Sequence, residues 1–90
     1  MAGAKWAADP TAELLRRWGA SPHERGDTSG DASCPDIWEL GNGDIAIIGQ
    51  DLTAGYRDRL PQGVSIDPGE SLVVIPRKAM IAAKRDIPDA

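Results

Sequence analysis

One thiol and one imidazole, Cys34 and His23, are the residues of this chain best suited to nucleophilic chemistry. A cysteine attacks as its thiolate and needs a base beside it, so the pair is where a cysteine enzyme would begin. No third group is positioned by the sequence to orient the imidazole. The structural alternative for Cys34 is simpler. Ser33-Cys34-Pro35 leads into the first strongly apolar segment, under which a small thiol packs well. A zinc site is disfavoured, because one Cys and one His close a tetrahedron only with two carboxylates added. Gly41-Asn42-Gly43 lacks the third glycine of a dinucleotide fingerprint and stands between two strand-like runs, so it reads as a turn. No enzyme activity and no cofactor or metal is expected.

Charge is the other source of chemistry. Asp36, Glu39, Asp44, Asp51 and Asp58 stand against only Arg57 and Arg59 over residues 36–60. They read as a solvated acidic face, or as an electrostatic patch for a basic partner that would favour on-rate and specificity. The C-terminal segment is the opposite case. On a helix over 77–86, Ala79, Met80, Ala83 and Ile87 share one arc, while Arg77, Lys78, Lys84 and Arg85 share the other. Ile81 falls amid the cations, as an incidental exposed residue, a second buried contact or a binding spot. In the N-terminal third, Trp6 and Trp18 have few apolar neighbours in sequence. Each is either an interface anchor or the plug that docks its own segment. With Leu14 on the same segment, the candidate partner-binding residues are Trp6, Leu14, Trp18, Arg77, Lys78, Ile81, Lys84 and Arg85.

These residues must be placed by a small scaffold. Ninety residues with a net charge of −4 form at most one domain, and so short a chain buries only about 60–65% of its unfolded surface. A lone cysteine makes no internal disulfide, and no apolar run approaches the roughly 18 residues of a membrane span. A cytoplasmic, acidic domain is expected, and a pI near 4.7 weighs against a protein that coats nucleic acid. Homodimerisation is expected as well, since a thin core gains stability by association.

Asp9 as N-cap, Pro10 after it and Gly19 as a stop predict a helix over about 10–18, with Leu14, Leu15 and Trp18 on one face. Residues 19–36 are rich in Gly, Ser, Pro and Asp and predict a mobile linker. Asn42-Gly43 predicts a two-residue hairpin turn, pairing Leu40 with Ile45 and Trp38 with Ile47, with a hairpin over about 37–49. Asp51 or Thr53 caps a helix carrying Leu52, Tyr56 and Leu60. Val64 and Ile66 suggest a short strand, and Asp67-Pro68-Gly69-Glu70 a turn. Leu72–Ile75 reads as a strand buried on both faces, and Pro76 opens the last helix. The fold class is α+β, a small, mostly antiparallel sheet of three or four strands with two or three short helices. Residues 1–34 form an N-terminal helix plus flexible linker, and residues 35–90 the α+β core domain.

Cys34-Pro35-Asp36-Ile37, Glu39-Leu40, Gly43-Asp44, Ile47-Ile48-Gly49, Val74-Ile75-Pro76-Arg77 and Ala82-Ala83-Lys84-Arg85-Asp86-Ile87-Pro88 resemble small acidic actinobacterial proteins often encoded beside helix-turn-helix transcription regulators. The resemblance spans about 34–88 and carries no catalytic residues. It implies an accessory role, binding and modulating a regulator. A second similarity, to swapped-hairpin antitoxin and transition-state regulators, rests on the Asp67–Glu70 turn before Leu72–Ile75, although the order of elements differs. The expected function is therefore a non-enzymatic protein-interaction module. The alternative is a small DNA-binding or antitoxin-type regulator using the basic face of helix 77–86.

Overall fold

A computed structural model describes residues 6–19 and 35–89. The expected linker, with His23 and Cys34, lies almost wholly outside them. The described chain is α+β, with five strands in two antiparallel sheets and two α-helices. The strands are β1 (Leu14–Arg17), β2 (Asp36–Leu40), β3 (Ile45–Ile48), β4 (Gln50–Asp51) and β5 (Val73–Val74). The helices are α1 (Thr53–Tyr56) and α2 (Arg77–Ala83), each continued by a 3-10 turn, at Arg57–Arg59 and Lys84–Asp86.

The expected N-terminal helix is instead strand β1. Its capping chemistry does form: Asp9 Oδ1 accepts the Thr11 amide (2.9 Å) and hydroxyl (2.7 Å), and Ala12 N–H donates to Asp9 O. The chain stops after that one turn. Two isolated helical turns are marginal in water, whereas an extended 14–17 pairs its backbone with β2. Leu14 lies opposite Leu40, Arg16 opposite Glu39 and Arg17 opposite Trp38, with an irregularity between Leu14 and Arg16. Trp18 N–H extends the ladder to Ile37 O at 2.9 Å. Residues 14–18 thus share a sheet with 36–40.

The hairpin forms where expected, one residue out of register. Ile37 faces Ile47 and Trp38 faces Ala46, because the loop has three residues. Gly43 N–H donates to Leu40 O (3.0 Å), Leu40 N–H donates to Asp44 O (2.8 Å), and Gly43 has φ 91°. A single turn over Gly41-Asn42 followed by a left-handed glycine is the usual three-residue alternative to the two-residue loop. The slip moves cross-strand partners between faces. Arg16, Trp18, Ile37, Glu39, Ile45 and Ile47 now share one face, and Arg17, Asp36, Trp38, Ala46 and Ile48 the other.

Helix α2 lies against the first of these faces. Ala79 and Ala83 are fully buried, and Ala83 joins Trp18 and Ile37 in the core, with Ile75 packed beside them. Small side chains let the backbones approach closely. A Cβ on Gly19, which has φ 78°, would stand 2.9 Å from Ala82 C. Asp86 fastens the far end: its Oδ2 accepts Gly19 N–H at 2.7 Å, and its carbonyl accepts Arg16 Nη2 at 3.1 Å. Met80 and Ile87, which share an arc with these alanines on the helical wheel, are exposed.

The β4–β5 pair corrects two expectations. Leu72–Ile75 is not a central strand: only Val73 and Val74 are paired, with a single partner strand, and both side chains are exposed. Val64 and Ile66 form no strand. The Asp67–Glu70 turn does form, with Glu70 N–H on Asp67 O and Gly69 at φ 85°, as a type II turn with Pro at its second position requires. No helix among the described residues is long and apolar enough to cross a membrane.

Thr53 couples α1 to β5. Its hydroxyl donates to Asp51 Oδ1 (2.6 Å) and accepts Leu72 N–H (2.8 Å), while its own N–H also reaches Asp51 Oδ1 (3.0 Å). These bonds, the hydroxyl's foremost, hold the Asp51 carboxyl below its ordinary pKa. Thr53→Val keeps the shape and strands the Leu72 amide. A loss of about 1–2 kcal/mol is expected by urea unfolding at neutral pH. NMR titration should show the Asp51 pKa rising toward the ordinary value. Because the folded-state pKa is depressed, this contribution is complete above the ordinary carboxylate value and fades as pH falls through the folded one.

Candidate interaction surface

The C-terminal helix presents the most distinctive outward face. With Ala79 and Ala83 turned inward, the 3.6-residue period turns Arg77, Ile81, Lys84 and Arg85 outward. Ile81 is 62% exposed, and Met80 and Ile87, on the other arc, are exposed as well. Lys78 is exposed on the same helix. Among the described residues, Arg77, Lys84 and Arg85 make no salt bridge. Apolar side chains ringed by uncompensated cations can bury against a partner that brings both apolar and acidic groups.

A second feature is a shallow cleft of about 550 Å³ beside the β4–β5 pair. Trp6, Leu60, Val64, Ile66 and Leu72 supply apolar wall, and Glu70 lies in the lining. Trp6 is 70% exposed, a large aromatic surface held at the edge of a concavity. Glu70 Oε1 accepts Asp67 N–H (2.9 Å), and the Asp67 carboxylate accepts the hydroxyl of Ser65, another lining residue (3.0 Å). Two carboxylates therefore border the cleft, and among the described residues no Lys or Arg lines it.

The remaining candidates separate. Leu14 is exposed on β1 and is not among the residues lining the cleft. Trp18 is 7% exposed and belongs to the core, so of its two roles it fills that of the plug. Its indole Nε1 donates to Glu39 Oε1 at 3.3 Å, which also receives Arg16 Nη2 at 3.3 Å.

The acidic stretch is largely committed to the fold. Asp36 is only 3% exposed, and Arg17 grips it with two bonds, Nε to Oδ1 (2.8 Å) and Nη2 to Oδ2 (3.1 Å). The same guanidinium lies 4.9 Å from the centre of the Trp38 ring. Asp44 bonds within the hairpin loop, and Asp51 serves Thr53. The solvated acidic face expected over 36–60 thus loses Asp36 to a buried pair. Sequence spacing gives no warning of this pair, because the signals at Asp9, Pro10 and Gly19 predict a helix that carries Arg17.

Among the described residues, no three His, Cys, Asp or Glu side chains are grouped to hold a metal ion. Comparison with protein-family models, curated proteins and solved structures finds no match to this chain.

Proposed function

We propose that this chain is a non-enzymatic interaction module of the cytoplasm, an accessory that binds a partner protein such as a helix-turn-helix regulator and modulates it. The observation that carries the proposal is the outer face of α2, where exposed Ile81 sits among Arg77, Lys84 and Arg85. Holding an isoleucine in water forgoes burial of about 25 cal/mol per Å² of its apolar surface, which a docked partner recovers. The unpaired cations select a partner surface that is acidic around an apolar centre.

A DNA-binding or antitoxin-type role would use the same cations. Even with Lys78 added, four positive charges make a small footprint for nucleic acid, on a chain of net charge −4. A phosphate backbone also gives Ile81 and Met80 nothing to bury against. The protein partner is therefore preferred.

The test compares affinity purification from native lysate using the wild-type chain and the variant R77E/K84E/R85E. A stoichiometric protein is expected with the wild type and absent with the charge-reversed form. Equal recovery by both, or recovery of nothing but DNA, would sink the proposal.

A further inference from the structure

We infer that the partner of α2 in the isolated protein is a second copy of this chain, whose Trp6 cleft receives Ile81. The inference goes beyond the binding of another protein and concerns the purified chain alone. The two surfaces are complementary in both respects that matter. The helix offers exposed Ile81 and Met80 flanked by Arg77, Lys84 and Arg85, and the cleft offers Trp6, Leu60, Val64, Ile66 and Leu72 bordered by Glu70 and Asp67. At about 550 Å³ the cleft admits more than one apolar side chain, so Ile81 enters with Met80 beside it. Among the described residues neither surface carries a charge that opposes its counterpart: no Lys or Arg lines the cleft, and no acid lies on the outward arc of α2 over 77–85.

Placement favours a closed pair over an open chain. Leu72 lines the cleft and Arg77 begins α2 five residues later, which separates them by at most about 17 Å of extended backbone. That short connection keeps cleft and helix within reach of one interface, and in the closed form proposed a two-fold axis repeats both contacts. Each dimer then buries two Trp6 side chains and two Ile81 side chains. Such a dimer also covers the α2 face assigned above to the partner protein, so self-association and partner binding compete.

Sedimentation equilibrium of the full chain at micromolar concentration tests this without any partner present. The wild type should weigh two chains. Ile81→Asp and Glu70→Arg should each weaken association at least tenfold with far-UV circular dichroism of the folded chain kept, while the unfolding temperature falls toward a concentration-independent value as the dimer is lost. Combining Glu70→Arg with Arg77→Glu should restore the dimer by re-pairing the charges. A wild-type mass of one chain up to about 100 µM overturns the inference, as does a dimer indifferent to both single variants. A mass that grows without limit overturns the two-fold arrangement. None of these outcomes depends on whether the lysate yields a partner protein.

Discussion

Trp18→Ala is expected to lower the unfolding midpoint of the purified chain by about 20 °C, or to leave it unfolded at room temperature. The side chain is 7% exposed and packs with Ile37 and Ala83, and truncating a buried tryptophan costs about 3–5 kcal/mol. A domain of this size holds roughly 5–10 kcal/mol in all, and each kcal/mol moves the midpoint by about 4–8 °C. The indole also donates to Glu39 Oε1, so truncation removes a bond as well as contacts. Trp18→Phe, which keeps much of the ring but not the donor, should lose only about 1–2 kcal/mol. Circular dichroism melts of the two variants check both values. An interface anchor would behave oppositely, with stability kept and partner binding lost. A loss below about 1 kcal/mol for the alanine variant would return Trp18 to that role.

The fate of Trp18 illustrates what sequence could and could not convey. Local signals read correctly wherever the structure they specify is local. The Asp67–Glu70 turn and the onset of α2 after Pro76 form where their signals stand, and α1 starts beside Asp51, although its N-cap is Leu52 rather than the expected Asp51 or Thr53. The hairpin was legible in position but not in register, because Gly41-Asn42-Gly43 supports both a two-residue and a three-residue loop. The choice moves Trp38 from Ile47 to Ala46. β1 was not legible at all. Asp9 and Pro10 do begin a turn, yet β2 offers Leu14, Arg16 and Arg17 strand partners that no local signal announces. Tertiary pairing overrode a helix too short to hold itself. The four-residue apolar run at Leu72–Ile75 misled for a related reason. Gly49 comes so close that a Cβ there would lie 2.6 Å from Val74 O, and the run meets one partner strand rather than two. The exposure of Ile81 follows from which arc of α2 the sheet covers, and the basic arc around it was visible from spacing alone.

The pairing of β1 with β2 has a second consequence, which the Arg17–Asp36 bridge makes measurable. Arg17→Met should cost about 3 kcal/mol in urea unfolding, since it leaves an almost fully buried carboxylate without either of its two side-chain donors. Arg17 itself keeps about a third of its side chain in water, so the loss belongs at the lower end of the range for a broken buried pair. The stacking of the guanidinium on Trp38 contributes to the same loss, and the thioether of methionine replaces only part of it. Removing both charges separates the bridge from the packing. In Arg17→Met with Asp36→Leu no ion is left unpaired, and buried pairs replaced by apolar groups are often neutral or better. The double variant should therefore recover most of the stability lost by the single one, and the pair should couple by at least about 1.5 kcal/mol in a double-mutant cycle. Additive losses would mean that Asp36 does not depend on Arg17. In that case the strand pairing Arg17 with Trp38, rather than the ion pair, would be what fastens the N-terminal segment to the sheet.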